Sequence, residues 1–403
     1  MGFERLLARR TVRMEANAIR EILNVASRPG MISLAGGLPA PESFPAAMMP
    51  VLVEAVMTRF GAAALQYDRT EGFFPLREAL AEYLAGRGIR VSADELRVAT
   101  GSQGVLDGIG KVLLSPGDRV VVESPTYLGA ISAFNPYEPE YVSLETDEEG
   151  LIPESLDEAL GRDRVKFVYL VPTFQNPTGR TLSMERRRAV AEILRRRDAL
   201  LVEDDPYSPL RYRGEALPPI RSLAPENVVY VSTLSKVFAP GLRLGFCAAP
   251  EPIRRWLALA KQGTDLHTNT FGQALATEYL TGGHLERHLP NILALYAPRQ
   301  AAMLDALDRW MPDGFRWTRP DGGMFLWVTG PDGMDMVELY REAVRRKVAY
   351  VPGRFFFAEK GAGIETLRLN FTAADPATID RAVAVLGDLF AEATDFGAVA
   401  VAG

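Results

Sequence analysis

The sequence predicts an α/β protein with a mostly parallel sheet flanked by helices, followed by a smaller α+β C-terminal domain. Three observations support this fold class. The 403 residues are too many for one compact core and indicate two or three packed units. Short apolar runs alternate with longer amphipathic stretches, which is the pattern of βαβ units. From about Pro290 this alternation changes to a long helix followed by separated strands.

The predicted strands of the sheet are apolar runs that end where polar segments begin. They cover Arg119–Glu123, Phe167–Val171, Ala199–Glu203 and Val228–Ser232, with a further candidate at Leu96–Ala99. The stretch Met184–Arg196 has the amphipathic period of a helix between two of them. Because ligands bind open α/β sheets outside the carboxyl ends of the strands, we expect functional side chains just after each run.

The chain divides into four predicted regions. An N-terminal arm covers residues 1–40, a large domain residues 41–290, a small domain residues 291–394, and a tail residues 395–403. The small domain is predicted from a long helix, a strand at Gly322–Val328, a helix at Met336–Arg346 and a strand at Thr366–Phe371. The tail is small, apolar and without periodicity, so we expect it to be frayed.

Composition and charge limit the classes of function. The chain is 47% hydrophobic and 24% charged, as ordinary globular proteins are. Its net charge of −6 leaves no basic excess for a phosphate backbone, so we expect no nucleic-acid partner. The start lacks the apolar run of a secretory signal, and no stretch reaches membrane-spanning length. These features favour a cytoplasmic protein without a membrane partner.

No metal site is predicted. Cys247 is the single cysteine, which excludes an internal disulfide and a zinc site with several cysteines. His284 and His288 have a zinc-binding spacing, but the glutamate between them is in neither zinc-protease position, so they are interpreted as a solvated helix face. The adjacent carboxylates Asp204 and Asp205 lack a nearby histidine or third carboxylate to complete a metal shell.

One segment carries a lysine directly after the strand at Val228–Ser232. It reads Ser232-Thr-Leu-Ser-Lys236 and continues to Arg243. A lysine at the end of a buried strand, flanked by hydroxyls and followed by an arginine, suits a Schiff-base lysine beside a phosphate-binding cup. An ordinary lysine at a helix start fits this segment equally well, so the segment alone leaves both interpretations open.

Polar side chains also follow the other predicted strands. A carboxylate at Asp204 would be costly without a cation, and a protonated pyridine nitrogen would supply one. Asn176 lies in a turn and can donate a hydrogen bond, although its Pro-Thr-Gly surroundings are also a plain turn signal. Gly101 and Ser102 open a helix and can face an anion, a signal that is weak on its own. Tyr127 suits either stacking on a flat ring or packing in a loop.

Together these segments resemble the fold-type I pyridoxal phosphate (PLP) aminotransferases of class I/II, in the subgroup of 2-aminoadipate and kynurenine aminotransferases. The resemblance extends from about Arg13 to Phe371. The matching segments are Ser33–Pro41, Gln66-Tyr67, Thr70–Gly72, Gly101–Gln103, Gln175–Gly179, Glu203–Tyr207, Ser235-Lys236, Gly241–Arg243 and Leu367–Leu369. Ordered matches over this length are more specific than any one segment, and they imply PLP as the cofactor.

The resemblance also implies roles for the residues that bind the cofactor. Lys236 would carry PLP and move the proton between the substrate Cα and the cofactor carbon, while Asp204 would pair with the pyridine nitrogen. Asn176 and Tyr207 match donors to the phenolic oxygen, and Tyr127 matches the ring that stacks on the cofactor. The cofactor-binding set also includes Gly101, Ser102, Gln103, Thr233, Ser235 and Arg243, together with Tyr67 of the partner subunit. Thr233 stands where relatives often have serine and keeps the hydroxyl.

A second implied set binds the substrate. Arg368 matches the arginine that grips the α-carboxylate with a two-pronged hydrogen bond, a geometry that lysine lacks. Asn176, Gly37 and Arg20 complete the set. Arg20 matches a position on a helix that closes over the substrate and meets a distal carboxylate. The alternative for Arg20 is an exposed helix arginine.

The implied reaction moves an amino group between an amino acid of the 2-aminoadipate, aromatic or branched-chain type and a 2-oxo acid. We expect 2-oxoglutarate as acceptor, a ping-pong mechanism and a homodimer with shared active sites. One alternative is a lyase or decarboxylase that uses the same cofactor. Another is a non-catalytic sensor fused to a DNA-binding module, but only about thirty residues precede Ser33, which are too few for such a module.

Overall fold

The computed structural model describes residues 3–14, 22, 24–25, 28–162 and 164–401, with side chains described as far as Thr394. The strands are β1 Ile32–Ser33, β2 Leu96–Thr100, β3 Arg119–Glu123, β4 Glu140–Leu144, β5 Thr146–Asp147, β6 Gly150–Leu151, β7 Val165–Leu170, β8 Leu201–Asp204, β9 Val228–Thr233, β10 Leu244–Ala248, β11 Arg316–Trp317, β12 Phe325–Thr329, β13 Val348–Ala349, β14 Val351–Pro352 and β15 Thr366–Asn370. The α-helices are α1 Met49–Arg59, α2 Phe74–Ala85, α3 Gly101–Leu113, α4 Leu128–Phe134, α5 Pro153–Arg162, α6 Met184–Arg197, α7 Ile220–Leu223, α8 Ile253–Gln262, α9 Thr270–Thr281, α10 His284–Trp310, α11 Met336–Arg345 and α12 Pro376–Val401. Among the described residues, none of these helices is long and apolar enough to cross a membrane.

The larger sheet has seven strands in the order β2-β10-β9-β8-β7-β3-β4. The pairs from β9 through to β4 are all parallel. Only β10 runs against its two neighbours, β2 and β9. The predicted mostly parallel sheet is therefore confirmed, with one antiparallel strand inserted near its edge.

The central strands carry long apolar runs because both faces of this sheet are covered. In β7, Phe167 and Tyr169 belong to one buried cluster, while Val168 and Leu170 belong to another on the opposite face. Side chains alternate between faces along a strand, so a strand buried on both sides shows a continuous apolar run. Polar side chains become frequent near the strand ends, as at Asp204 in β8 and Thr233 in β9.

A second sheet of four strands, in the order β11-β12-β15-β14, is antiparallel and belongs to the C-terminal part. The N-terminal arm joins this part, because β1 pairs in parallel with β13. Beyond β1, Leu34 accepts a backbone hydrogen bond from Asn370, with nitrogen and oxygen 2.8 Å apart. The arm is thus fixed against the small sheet and leads from there toward the carboxyl edge of the large sheet.

Three element boundaries differ from the prediction by three residues or more, and the others by at most two. Helix α10 begins at His284 rather than near Pro290 and contains both Pro290 and Pro298. Its buried side chains hold it in place although each interior proline removes one backbone hydrogen bond. Strand β12 begins at Phe325, since Gly323 before it has a φ of 77°. Helix α12 continues to Val401 and so extends into the predicted frayed tail, whose alanines favour helix.

Candidate active site

A cavity of about 290 Å³ opens at the carboxyl edge of the large sheet. Strands β7, β8 and β9 are parallel neighbours, so the loops that follow them meet there. The residues singled out from the sequence that line this cavity are Ser102, Gln103, Tyr127, Asn176, Asp204, Tyr207, Thr233, Ser235, Lys236 and Arg243. Lining residues that sequence reasoning did not select are Leu38, Pro39, Val171, Pro206 and Pro240.

Lys236 follows β9 and points its amine across the cavity to the N-terminal arm. Its Nζ donates a hydrogen bond to the carbonyl oxygen of Gly37 at 3.0 Å and lies 5.9 Å from the ring centroid of Tyr207. Burial, with smaller contributions from the positive charges of Arg368 and Arg243, lowers the pKa of this amine to about 8. The amine therefore loses its proton far more readily than an exposed lysine does.

Asp204 ends β8 and has one carboxylate oxygen engaged and one free. Oδ2 accepts a hydrogen bond from the hydroxyl of Tyr169 at 2.8 Å, whereas Oδ1 is buried without a partner among the described residues. Burial raises the pKa of this carboxyl to about 7. A buried oxygen without a donor is costly, so this position suits a ligand that brings a proton or a positive charge.

The neighbouring carboxylate, Asp205, is fully engaged. Its Oδ2 accepts hydrogen bonds from Arg87 at 2.7 Å and from the hydroxyls of Tyr230 and Ser208, each at 2.8 Å. Arg87 lies 118 residues away in the sequence, on the segment after α2. No local motif signals this ion pair, and sequence reasoning missed it.

Arg368 lies on β15 and is buried without an acidic partner in the described part of the chain. Its Nη1 donates to Asn176 Oδ1 and its Nη2 to the carbonyl oxygen of Ala35, both at 2.8 Å. The guanidinium carbon lies 4.2 Å from the ring centroid of Phe325 and 4.9 Å from that of Phe356. Burial lowers the pKa of Arg368 to about 10, and its Nε has no hydrogen-bond partner among the residues that the structure describes. A buried guanidinium that lacks an anion suits a carboxylate ligand.

Asn176 links this arginine to the cavity. While its Oδ1 accepts from Arg368, its Nδ2 donates to the hydroxyl of Tyr207 at 3.3 Å. Burial raises the pKa of Tyr207 well above its ordinary value, so this hydroxyl keeps its proton. The side chains from three separate segments thus form one hydrogen-bonded row along the cavity wall.

The part of the cavity wall formed by Arg243 and the start of helix α3 suits an anion. Helix α3 begins there at Gly101, whose φ of 75° is a conformation that glycine adopts without strain. A Cβ at Gly101 would overlap the guanidinium of Arg243, and a Cβ at Gly245 would overlap the backbone of Gly101 and Ser102. Without these Cβ atoms, Arg243 lies close to Ser102 and to the N-terminus of the helix. The N–H donors and positive charge that this brings together favour binding of an oxyanion.

Two hydroxyls complete this end of the cavity, with different tasks. Thr233 Oγ1 donates to the carbonyl oxygen of Leu244 at 2.8 Å and accepts from the backbone N–H of Ser235 at 3.1 Å. The hydroxyl oxygens of Thr233 and Ser235 are 2.9 Å apart. Thr233 thus holds the loop in place. Because Thr233 gives its proton to Leu244, Ser235 is the donor in their contact, and its hydroxyl can turn from Thr233 to an anion in the cavity. Gln103, on α3, donates to the carbonyl oxygen of Gly129 at 2.7 Å.

Some predicted site residues lie apart from the cavity. Gly101 and Arg368 stand directly behind its wall, and Gly37 meets it through the carbonyl that Lys236 contacts. Tyr67 is 77% exposed and packs edge-on against His267 at a separate surface. Arg20 lies outside the described residues. No cluster able to hold a metal ion occurs among the described residues.

The chemistry of these groups fits PLP. The unpaired oxygen of Asp204 suits a pyridine nitrogen, the end formed by Arg243 and the start of α3 suits a phosphate, and Lys236 lines the same cavity. Asn176 offers an N–H group and Tyr207 an O–H group on the same wall of the cavity.

Comparisons with known proteins support PLP as the cofactor. Residues 34–386 match the family model described as aminotransferase class I and II. The chain is 46% identical over 379 residues to aromatic-amino-acid aminotransferase 1 of Thermococcus litoralis, covering 92% of this chain and 91% of that protein.

Two solved structures are similar over nearly the whole chain. The kynurenine aminotransferase of Pyrococcus horikoshii, in complex with PMP, is 44% identical with a TM-score of 0.93 and covers 96% of this chain and 98% of its own. The alpha-aminoadipate aminotransferase of Thermus thermophilus, complexed with N-(5'-phosphopyridoxyl)-L-leucine, is 38% identical with a TM-score of 0.91 and covers 98% of this chain and 100% of its own.

Proposed function

The chain belongs to the class I and II aminotransferases, which use PLP, and we propose that it transfers the amino group of an aromatic, 2-aminoadipate-type or branched-chain amino acid to 2-oxoglutarate. The names of its relatives support the first two donor classes, since they include an aromatic-amino-acid aminotransferase and a 2-aminoadipate transaminase. The complex of the Thermus thermophilus enzyme with a leucine adduct supports the third.

One observation supports this function above the others. The amine of Lys236 and the unpaired oxygen of Asp204 line one cavity, and the buried guanidinium of Arg368 lies behind its wall. Transamination needs a base, a site for the electron-withdrawing ring and a grip on a carboxylate. Lys236 would be the base, Asp204 would face the ring nitrogen, and Arg368 would grip the carboxylate.

When bound, PLP supplies an electron sink that stabilises negative charge at the substrate Cα. In our proposal Asp204 would accept a hydrogen bond from the protonated pyridine nitrogen, and Tyr207 and Asn176 would donate to the phenolic oxygen. Tyr127 lies against the ring. Ser102, Gln103, Ser235 and Arg243 hold the phosphate, with Gly101 and Thr233 shaping the cup around it.

Lys236 acts as the group that moves the proton. Because the pKa of its amine is about 8, an appreciable fraction is neutral near neutral pH and able to accept a proton. The carbonyl of Gly37 holds Nζ at 3.0 Å and so limits the directions that the amine takes in the cavity. A lysine fixed in this way removes the proton from the substrate Cα and returns it to the cofactor carbon.

Arg368 grips the α-carboxylate of both substrates. Its guanidinium is already oriented by Asn176, by the carbonyl of Ala35 and by the rings of Phe325 and Phe356. A preoriented fork loses little entropy on binding and fixes the Cα relative to Lys236.

The acceptor assignment rests on Arg20, whose guanidinium we propose meets the distal carboxylate of 2-oxoglutarate. Replacing Arg20 with alanine should lower kcat/KM for glutamate, 2-oxoglutarate and 2-aminoadipate by roughly ten- to a hundredfold and largely spare leucine and phenylalanine. Equal losses for acidic and apolar substrates would show that Arg20 supports the fold or a gate in general.

We also propose that the active unit is a homodimer in which Tyr67 of the partner subunit completes the phosphate cup. Tyr67 is 77% exposed, and Leu65 and Leu266 near it are 67% and 49% exposed. Exposed apolar side chains next to a tyrosine that makes no contact with its own cavity suit an interface. Sedimentation of the active enzyme tests this, and a fully active monomer at assay concentration would refute it.

The test of the reaction is a half-reaction. The purified holoenzyme is mixed with one amino acid at a time, without an acceptor, and the cofactor is followed by its absorption. A transaminase converts PLP to stable pyridoxamine phosphate, which 2-oxoglutarate then returns to PLP in a ping-pong cycle. A lyase or decarboxylase would instead release its product while the cofactor remains PLP.

A further inference from the structure

A second cavity lies between the two sheets and shares no lining residue with the cofactor cavity. Its volume is about 600 Å³, within the range of small-molecule sites. One wall comes from the large domain and includes Glu148 and Arg180. The other comes from the edge strand β11 and the segment after it, and includes Arg316, Trp317 and Arg319. We call this cavity the arginine cleft.

The charges in the arginine cleft are not balanced internally. Arg319 forms an ion pair with Asp308, and Asp321, which also lines the cleft, pairs with Arg213 at 3.4 Å. Arg180 and Arg316 form no ion pair with any described residue. Glu148 is the remaining charged side chain, and it makes no ion pair with Arg180 within the described residues.

Two N–H donors in the cleft are also unused. Arg180 Nε and Trp317 Nε1 are both buried and have no hydrogen-bond partner among the described residues. Burial is the main influence on Arg180 and lowers its pKa, although the negative charges of Glu148, Asp147 and Glu123 act in the opposite direction. Donors left unpaired in this way distinguish the cleft from an ordinary solvated arginine surface.

We propose that the arginine cleft binds a small oxyanion, a carboxylate or a phosphate group carried by an organic molecule, with Arg180, Arg316 and Trp317 as donors. Guanidinium groups bind both kinds of oxyanion through paired N–H groups, and the indole N–H adds a neutral donor. Because Arg180 belongs to the large domain and Arg316 to the small sheet, the anion bridges the two.

The position of Arg180 connects the cleft to the active cavity. Its carbonyl oxygen accepts from the backbone N–H of Gln175 at 2.8 Å, and its own N–H donates to Thr178 Oγ1 at 3.3 Å. These bonds close the turn that carries Asn176, which in turn orients Arg368. An anion bound to Arg180 would therefore stabilise the turn that orients Arg368 through Asn176. Binding of the anion should then lower KM for the amino donor.

The test is calorimetric titration of the PLP-loaded enzyme with inorganic phosphate and, separately, with succinate, which carries no group able to react. We expect saturable binding of at least one. Arg180→Met and Arg316→Met should each weaken it about ten- to a hundredfold, and Glu148→Gln should strengthen it about two- to fivefold. The control, Arg255→Met, removes an exposed arginine on α8 outside the cleft and should leave binding unchanged.

The two probes and one further variant separate the possible sources of signal. Binding of phosphate without succinate identifies the ligand as a phosphate compound, and the reverse identifies a carboxylate. Binding that survives Arg180→Met and Arg316→Met but is lost in Arg368→Met would place the anion in the active cavity and overturn the proposal. Absence of binding for both probes would overturn it as well. Because Arg316 is exposed, its variant tests the cleft even where Arg180→Met is unstable.

Discussion

Asp204 and Asp205 are adjacent residues with equal burial, each 2% exposed, yet their surroundings are opposite. Asp205 is satisfied by Arg87, Tyr230 and Ser208, whereas one oxygen of Asp204 has no partner among the described residues. A satisfied buried carboxylate supports the fold, while an unsatisfied one lowers stability and is retained for a ligand. This difference supports our proposal that Asp204, and not Asp205, faces the cofactor.

Two buried arginines also differ in how completely their N–H groups are hydrogen-bonded. Arg187 on α6 donates to the carbonyl oxygens of Leu182 and Pro172 at 2.9 and 2.8 Å and to Thr173 Oγ1 at 2.7 Å. Arg368 leaves Nε unpaired and faces no carboxylate among the described residues. If incomplete pairing marks the residues that act on ligands, substitutions of unpaired residues should reduce activity and substitutions of paired ones should reduce stability.

Replacing Lys236 with alanine should reduce turnover by at least about a thousandfold, because the base and the attachment point of the cofactor are lost together. Steady-state transamination with glutamate or an aromatic donor measures this. The matched control is Lys360→Ala, which removes an exposed lysine and should retain full activity. Turnover of Lys236→Ala within tenfold of the parent enzyme would remove this lysine from the mechanism.

Asp204→Asn should lower kcat by roughly a hundred- to a thousandfold while stabilising the PLP-free protein. The carboxyl pKa is about 7 in the folded state, above its value near 4 in the unfolded chain. Its contribution to stability is therefore present below pH 4 and is lost as the pH rises through 7. At pH 8 the asparagine avoids this loss, and the thermal unfolding temperature of the apoprotein should rise. A lower unfolding temperature would show that Asp204 is a structural residue.

Asp205→Asn should lower stability and have little effect on turnover, the reverse of what we expect for Asp204→Asn. It leaves Arg87 largely buried without its counter-charge, so the free energy of unfolding should fall by about 2 to 4 kcal/mol. Turnover at a temperature where the variant is folded should fall by less than tenfold. Denaturant unfolding and steady-state kinetics measure the two quantities, and a variant that is stable but inactive would contradict the contrast between the neighbours.

Arg368→Lys should raise KM for both substrates by about ten- to a hundredfold with a smaller change in kcat, because lysine keeps the charge and loses the fork. Kinetics with an amino donor and an oxo acid measure this. An unchanged KM for both would mean that the carboxylate binds elsewhere.

The smallest effect concerns pH. The rate at which PLP attaches to the apoenzyme should rise with pH and level off above an apparent pKa of about 8, since the neutral amine of Lys236 is the nucleophile. Arg368→Met removes a positive charge that lowers this pKa, so the apparent pKa should move upward. A downward shift would contradict the electrostatic explanation of the lowered pKa.

The sequence predicted the strands and the strand-end residues because both are local features. Strand β3 has the predicted bounds, Arg119–Glu123, and Asp204 and Lys236 lie at the cavity after their apolar runs. A continuous apolar run indicates a strand that is buried on both faces of a sheet. The short motifs come directly after such runs in the sequence, so both can be recognised locally.

The partners of these residues were not predictable in the same way. Arg87 is brought to Asp205 only by the packing of α2 and the segment after it, and the carbonyls of Ala35 and Gly37 reach the site because β1 pairs with β13. Such contacts depend on tertiary structure and leave no pattern within a segment. They decide which polar groups are satisfied, and hence which ones remain free for ligands.

The most direct test of the account is to trap the cofactor on the chain. The PLP-loaded enzyme is reduced with borohydride and digested, and the modified peptide is identified by mass spectrometry. The account predicts one phosphopyridoxyl group per chain, on Lys236 of the peptide that contains Ser235. Modification of another lysine as the main product, or no covalent product from an active holoenzyme, would contradict it.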